Sequence, residues 1–275
     1  MNFNPLVSII MPAYNAGIYI CDAIESVIKQ VHQNWELIIV NDGSTDRTED
    51  IVRNNFHDAR ISFICQNHSG VSKARNLALK IMNGEYFCFI DADDVFTTNS
   101  ISSRLRVFNN NKDVSFVDGT VIIQNIDTKR IIRKFVPNFR GHPLNELLKL
   151  SERCFVGNTW MIKREEYWTY NFMEDMRHAE DICFYMSVAK DKIYDYTTDK
   201  ILIYRKRPDA AMSDYVGLEE GYYRLFKHIY NNYSLNVYKQ ILLKFRIMRI
   251  MSLSHLLDGR NPGRAIRCLY QYLIM

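Results

Sequence analysis

Apolar residues in the first 118 positions fall into short compact runs separated by stretches with helical spacing. Leu6 to Met11, Leu37 to Val40, Ile61 to Ile64 and Tyr86 to Ile90 are compact apolar runs of strand length. Between them, Ala16 to Lys29 carries Ile20, Ala23, Ile24, Val27 and Ile28 on one helical face, and Val71 to Met82 repeats that spacing. Asp46 with Glu49 three residues later predicts a capping-box start for a helix through Ile51 and Val52. Asn99 to Asn109 is read as a further helix, and Val114 to Val117 as a strand. Strands that read as continuous apolar runs and alternate with helices predict βαβ units, with a mostly parallel sheet covered by helices on both faces. From about Thr120 the pattern changes to extended stretches (Val121 to Ile126, Ile131 to Val136) and a short helix after Pro143. A mixed region follows to Ser213, then a tail helical from Asp214, with Asn261-Pro262-Gly263 as its clearest break.

In such a sheet, ligands bind outside the carboxyl ends of the strands. The polar motifs stand at those ends: Pro12-Ala13-Tyr14-Asn15 after the first run, Asn41-Asp42-Gly43-Ser44 after the second, and Asp91-Ala92-Asp93-Asp94 after the fourth. Three acids in four residues repel one another unless a cation neutralises them, and oxygen ligands favour hard ions such as Mn²⁺ or Mg²⁺. Capping of the next helix is the other use of Asp93 or Asp94. His68-Ser69-Gly70-Val71-Ser72-Lys73-Ala74-Arg75-Asn76 opens a helix with small residues and two cations, a place where backbone N–H groups and Arg75 could meet a diphosphate.

Composition narrows the classes. The 275 residues are 47% hydrophobic and 24% charged, with few glycines (11) and prolines (6), which excludes a disordered or fibrous chain. Six scattered cysteines (Cys21, Cys65, Cys88, Cys154, Cys183, Cys268) show no metal or redox spacing and read as reduced thiols of a cytoplasmic protein. Neither a secretory leader nor a membrane-length apolar run is expected. From Arg224 onward, nine Lys or Arg face the single acid Asp258, a local charge of +8, so the first 223 residues carry −4 of the whole-chain +4. That division argues against nucleic acid as a partner of the body. It leaves an anionic surface, such as the inner face of a membrane, or a second subunit for 214–275.

The ordered set Pro12-Ala13-Tyr14-Asn15, Val40 to Asp46, Gly70 to Asn76, Gly84-Glu85-Tyr86 and Phe89 to Asp94 resembles the signature of family 2 glycosyltransferases of the GT-A fold, densely over residues 6 to about 118. The resemblance implies a nucleotide-diphospho-sugar donor, of the UDP type, and inversion at the anomeric carbon. It implies that Pro12, Ala13, Tyr14 and Asn15 line the nucleoside pocket, that Asp42 meets the uracil edge, and that Arg75 helps hold the nucleotide. Asp91 and Asp93 match the Asp-x-Asp motif, with Asp93 as first metal ligand and Asp91 nearer the ribose. Ala179-Glu180-Asp181 is similar to the family's Glu-Asp motif, which makes Asp181 the expected general base and Glu180 its neighbour or substitute; favourable placement of acids at a helix start is the structural alternative. Tyr204-Arg205-Lys206-Arg207, followed by Met212-Ser213, is similar to a late segment that closes over the diphosphate. Ala78 and Ala179 stand where the family frequently has glycine.

The implied organisation is a nucleotide-sugar half (1–118), an acceptor and base half (119–213) and a basic helical extension (214–275). The implied activity is metal-dependent transfer of a hexosyl or N-acetylhexosaminyl group to a saccharide or lipid-linked acceptor in surface polysaccharide or glycoconjugate synthesis. A nucleotidyltransferase of related plan would carry a basic, Gly-rich loop after the first strand, where Pro12-Ala13-Tyr14-Asn15 stands; a non-catalytic sugar-nucleotide or glycan binder would not need Asp93, Asp181 and Arg205 together. His178, three residues before Asp181, reads as a surface residue or a contact to the acceptor, and Trp160, Trp168, Tyr167 and Tyr170 read as packing residues or a sugar-stacking platform.

Overall fold

A computed structural model describes residues 3–207, 214–258 and 261–267. The elements run β1 (Val7–Ala13), α1 (Ile20–Ile28), β2 (Trp35–Asp42), α2 (Thr48–Asn55), β3 (Ile61–Gln66), α3 (Val71–Ile81), β4 (Tyr86–Phe89), β5 (Val95–Phe96), α4 (Ser100–Asn110) and β6 (Val114–Asn125). They continue with β7 (Ile131–Phe135), α5 (Leu144–Leu148), β8 (Met161–Lys163), α6 (Glu180–Val188), β9 (Ile193–Lys206), α7 (Tyr215–Asn232) and α8 (Val237–Leu253). The strands form one sheet in the order β3-β2-β1-β4-β8-β6-β9-β5, with β7 paired to β6. Pairing is parallel across β3-β2-β1-β4 and mixed beyond it, because β8 runs antiparallel to both β4 and β6 while β9 runs parallel to β6.

The apolar runs of β1, β2 and β4 are continuous because both faces of the sheet are covered. Side chains alternate across a strand, so Ile10, Ile38, Phe87 and Phe89 enter one apolar cluster with α3, α6, α7 and α8. Ile9, Met11, Leu37, Ile39 and Cys88 enter the other with α1 and α4. Helix α1 seats Ile20, Ala23, Ile24 and Val27, the i, i+3, i+4, i+7 set, on that second face. Gly84 is needed where the chain turns into β4, since a Cβ there would stand 2.5 Å from the Ser8 backbone nitrogen.

Several elements differ from the sequence expectation. The stretches around Val114 and Val121 are one twelve-residue strand, β6. Strands β5, β8 and β9 were not expected, and the helical tail breaks at 233–236, where the Asn236 side chain caps α8 by accepting from Lys239 N at 2.9 Å. At α2, Glu49 does not return to the helix start but pairs with Arg53 at 2.8 Å, while Asp46 accepts from Thr48 N and from Gly17 N, both at 2.9 Å. Asp46 therefore also ties the loop after β1 to α2. The tail is not a detached surface helix: α8 buries Leu243, Ile247 and Met251 against the core.

Candidate active site

The carboxyl ends of β1, β2 and β4 bring the sequence motifs to one edge. At the end of β1, Asn15 adopts the left-handed conformation (φ 47°), which asparagine tolerates better than most residues. Its side-chain oxygen accepts from Thr45 N at 2.8 Å, and its own N–H donates to Ser44 Oγ at 3.0 Å. Asn15 thus clamps the β1 loop to the β2 loop. The exposed Tyr14 ring stacks on His68, with centroids 4.2 Å apart.

Asp42 is buried at the end of β2, and its carboxylate is fully engaged. One oxygen accepts from Gln66 Nε2 at 2.6 Å and Ser69 N at 2.8 Å; the other accepts from Gly70 N at 2.9 Å and lies 2.9 Å from His68 Nδ1. Asp42 thereby shapes loop 66–70 ahead of α3. Gly43 makes that approach possible, because a Cβ there would lie 2.6 Å from His68 N, and its φ is +70°.

Arg75 is the centre of the edge. Its guanidinium is buried, with Nη2 2.9 Å from Asp91 Oδ1 and Nη1 2.9 Å from Glu180 Oε1, and it lies over the Phe172 ring at 5.2 Å. One side chain on α3 thereby joins the acid after β4 to the first residue of α6. Phe172 is fixed in turn by Asn76, whose amide donates to Phe172 O at 3.0 Å and accepts from Phe172 N at 2.7 Å. Asp181, next to Glu180, is half-buried, and its carboxyl is pushed up to about 7, first by burial and then by the Glu180 charge, with Arg75 opposing.

Asp93 lies 3.0 Å from Arg207 Nε, and burial followed by the Asp91 charge raises its carboxyl. The buried Asp94 accepts from Arg205 N at 2.9 Å and is raised well above the usual carboxylate range, chiefly by burial and then by Asp93. The Arg205 guanidinium reaches Asp22 at 2.5 Å and the Tyr19 carbonyl at 3.3 Å, and it also donates to the Asp93 carbonyl. Both arginines stand over the Tyr19 ring, at 5.8 Å and 5.2 Å. The late segment thus returns to the Asp-x-Asp loop along β9; its Met212-Ser213 continuation lies outside the described residues.

Among the described residues no preassembled group of three metal-binding side chains is present. The donor chemistry nonetheless fits a hard dication: among the described residues, Asp91, Asp93, Asp94, Glu180 and Asp181 gather around the guanidinium groups of Arg75, Arg205 and Arg207. Asp93 and Asp94 are driven toward protonation, the condition that an added cation relieves.

Residues 8–170 match the family model described as Glycosyl transferase family 2. The chain belongs to that family. This family 2 chain is 36% identical over 188 residues to UDP-Glc:alpha-D-GlcNAc-diphosphoundecaprenol beta-1,3-glucosyltransferase WfgD of Escherichia coli, covering 68% of the chain and 70% of the relative. Its fold is that of S. aureus TarS 1-349, solved in complex with UDP-GlcNAc (TM-score 0.67, 20% identity, 97% of this chain and 80% of that one). Mannosyltransferase PcManGT of Pyrobaculum calidifontis, solved with GDP-Man and Mn2+, has the same fold (TM-score 0.66, 16% identity, 99% and 75% covered). The chain spans 36% and 30% of the length of two uncharacterized Rickettsia glycosyltransferases that it also matches. Membership places it among the glycosyltransferases, and the structure shows a GT-A fold with a helical C-terminal region.

Sequence reading missed Tyr19, Asp22 and Phe172. Asp22 lies in the first turn of α1, and Phe172 carries no polar signal, so only the fold brings these residues to the arginines. His178 is not on the surface but 8% exposed, with Nε2 3.5 Å from Asp214 Oδ2. Trp160 is fully buried, and its indole N–H donates to Cys154 O at 2.7 Å, whereas Tyr167 is 99% exposed and Trp168 41%.

Ala179, just ahead of the acidic pair, sits at φ 62°. A left-handed alanine costs about 1 kcal/mol or more, which glycine avoids. Ala179→Gly is expected to raise stability by about 1 kcal/mol, read as a higher urea midpoint with an unchanged slope.

Proposed function

We propose that the protein is a metal-dependent, inverting glycosyltransferase that moves a sugar from a UDP-sugar to a saccharide or lipid-linked acceptor during synthesis of a surface polysaccharide or glycoconjugate. The observation that carries this reading is the Arg75 bridge between Asp91 and Glu180, which ties an acid of the Asp-x-Asp segment to the acidic pair of α6. WfgD, a glucosyltransferase using UDP-Glc, and TarS, solved with UDP-GlcNAc, support the donor class.

In this reading Pro12, Ala13, Tyr14 and Asn15 line the nucleoside pocket, and Asp42 meets the uracil edge while holding loop 66–70. Asp91 and Asp93 would hold Mn²⁺ or Mg²⁺, which when bound supplies charge neutralisation for the diphosphate; the Mn2+ complex of PcManGT supports that choice. Arg205 and Arg207 add fixed positive charge beside the diphosphate. A carboxylate oxygen of Asp181 takes the proton of the acceptor hydroxyl as that oxygen attacks C1 from the face opposite the departing UDP, which inverts the centre. Glu180, engaged by Arg75, keeps its neighbour oriented.

UDP release from UDP-glucose and UDP-N-acetylglucosamine, with saccharide and diphospholipid-linked acceptors, is expected to require Mn²⁺ or Mg²⁺, stop with EDTA and return on adding the ion. UDP binding without turnover across the panel would point to the binder, and release of pyrophosphate to a nucleotidyltransferase.

The active site is proposed to lie in the cytoplasm at the inner membrane face. No helix among the described residues is long and apolar enough to cross a membrane. Helix α8 instead exposes Tyr238, Ile241, Leu242 and Phe245 beside Lys239, Lys244, Arg246 and Arg249 and contains no acid, which fits an anionic lipid surface. Each cation near such a surface contributes about 1 kcal/mol. The full chain is expected to float with phosphatidylglycerol vesicles and not with phosphatidylcholine vesicles, and changing the four α8 cations to glutamine is expected to abolish flotation. Equal flotation of both forms would exclude α8 as the contact.

A further inference from the structure

The strain at Ala179 needs something to hold it. A residue stays in a sparsely populated conformation only where its surroundings over-determine it, and here the surroundings come from the C-terminal extension. His178 is seated on the first two turns of α7. A Cβ at Gly217 would lie 2.6 Å from His178 Nε2, and one at Gly221 would lie 2.6 Å from His178 Cβ and 2.8 Å from its carbonyl oxygen. A Cβ at Gly217 would meet the Asp214 carboxylate closer still, and one at Gly221 would meet the His178 backbone, so the two glycines, four apart on one helix face, form a cradle filled by His178 together with the Asp214 carboxylate. Asp214 closes the end: it accepts from Gly217 N at 3.0 Å as the α7 cap and faces the imidazole at 3.5 Å.

On the other side of Ala179, Glu180 is held by Arg75. The segment 178–181 is therefore gripped at both ends, by α7 and by the crevice arginine, with the left-handed alanine between. Asp181 has no ion pair of its own among the described residues; its hydrogen bond is the one it accepts from Ile182 N at 2.7 Å, within the same helix start. Its place in the crevice is set by the backbone that carries it.

We infer that His178, docked in the Gly217–Gly221 cradle, is a positioning residue for Asp181, so that α7 belongs to the working site and is not a separate appendage. The inference rests on Asp181 being the general base and deepens that reading. A shift of about 1 Å in a reacting group can cost on the order of 100-fold in rate.

The test uses the full chain with the UDP-sugar and acceptor that give turnover. His178→Ala, which empties the cradle, and Gly221→Ala, which fills it, are each expected to lower kcat about 10- to 100-fold. KM for the UDP-sugar and the calorimetric Kd for UDP should stay within about twofold. His178→Gln, whose amide can still donate to Asp214, is expected to recover most of the loss. Melting temperatures are recorded for all three; if Gly221→Ala does not fold, the His178 pair decides. Asp181→Asn separates the base role from the positioning role. Full turnover in that variant removes the base reading. Loss of turnover in it, together with wild-type kcat in folded His178→Ala, overturns the positioning role alone. Equal activity of His178→Ala and His178→Gln, or a loss confined to melting temperature, also overturns it.

Discussion

Asp181→Asn is expected to lower kcat by about 10²- to 10⁴-fold while UDP affinity stays near that of the unaltered protein. The amide is nearly isosteric and keeps the helix start, but it cannot accept a proton from the acceptor hydroxyl. Burial, and then Glu180, push the Asp181 carboxyl up to about 7. The proton-accepting form therefore grows as pH rises through about 7, and kcat/KM should climb to a plateau above it; the limb belongs to the interacting Glu180 and Asp181 together. The same shift has the opposite sign for stability. Between the ordinary carboxylate range and pH 7 the folded protein holds more protons than the unfolded chain, so stability falls as pH rises through that window. Asp181→Asn removes this cost and is expected to melt higher than the unaltered protein at pH 8. Near-normal turnover with a flat pH profile would remove Asp181 from the reaction.

Arg75→Met should be the most destabilising single change at the site, by about 3–5 kcal/mol. The methionine fills much of the same volume, so the loss is not a cavity effect. What remains is Glu180, its side chain 12% exposed, beside Asp181 and facing Asp91, with the shared guanidinium gone. Breaking a buried pair leaves an uncompensated charge, and here that penalty falls on Glu180, while the more exposed Asp91 is screened by water. Arg75→Lys should lie between, because a point charge cannot span Asp91 and Glu180 as the planar fork does. Urea unfolding of the three forms at pH 7.5 measures this, and a loss below about 1 kcal/mol for Arg75→Met would mean that water already screens the bridge.

The N-terminal part of the sheet was legible because its strands are buried on both faces. Ile9 and Ile10 are both buried although they face opposite sides of the sheet, as are Ile39 and Ile38, and α1 and α3 each present one apolar stripe. The later strands carry no comparable local signal. Strand β8 is only Met161–Lys163, and β9 mixes Asp195, Thr197, Asp199 and Lys200 into an extended segment whose partners, β6 and β5, lie far away in the chain. Non-local pairing decides such segments, and periodicity cannot report it. The site divides in the same way. The acids and arginines stood out by type and by order, but their partners did not. That Arg205 would reach Asp22 across 183 positions, or that Asp42 would be engaged by Ser69 and Gly70, follows from where β9 and α3 lie and from nothing adjacent in the sequence.

The insertion of β8 between β4 and β6 has a consequence for biosynthesis. When the ribosome has delivered β1 to β4, three strands can zip together around β1, yet the outer side of Tyr86–Phe89 faces no partner until residues 161–163 emerge. All four residues of that strand are buried in the finished fold, so the nascent chain carries a sticky, uncapped margin for about seventy codons of translation. Recombinant fragments ending before Met161 should for that reason collect in inclusion bodies unless a chaperone shields them.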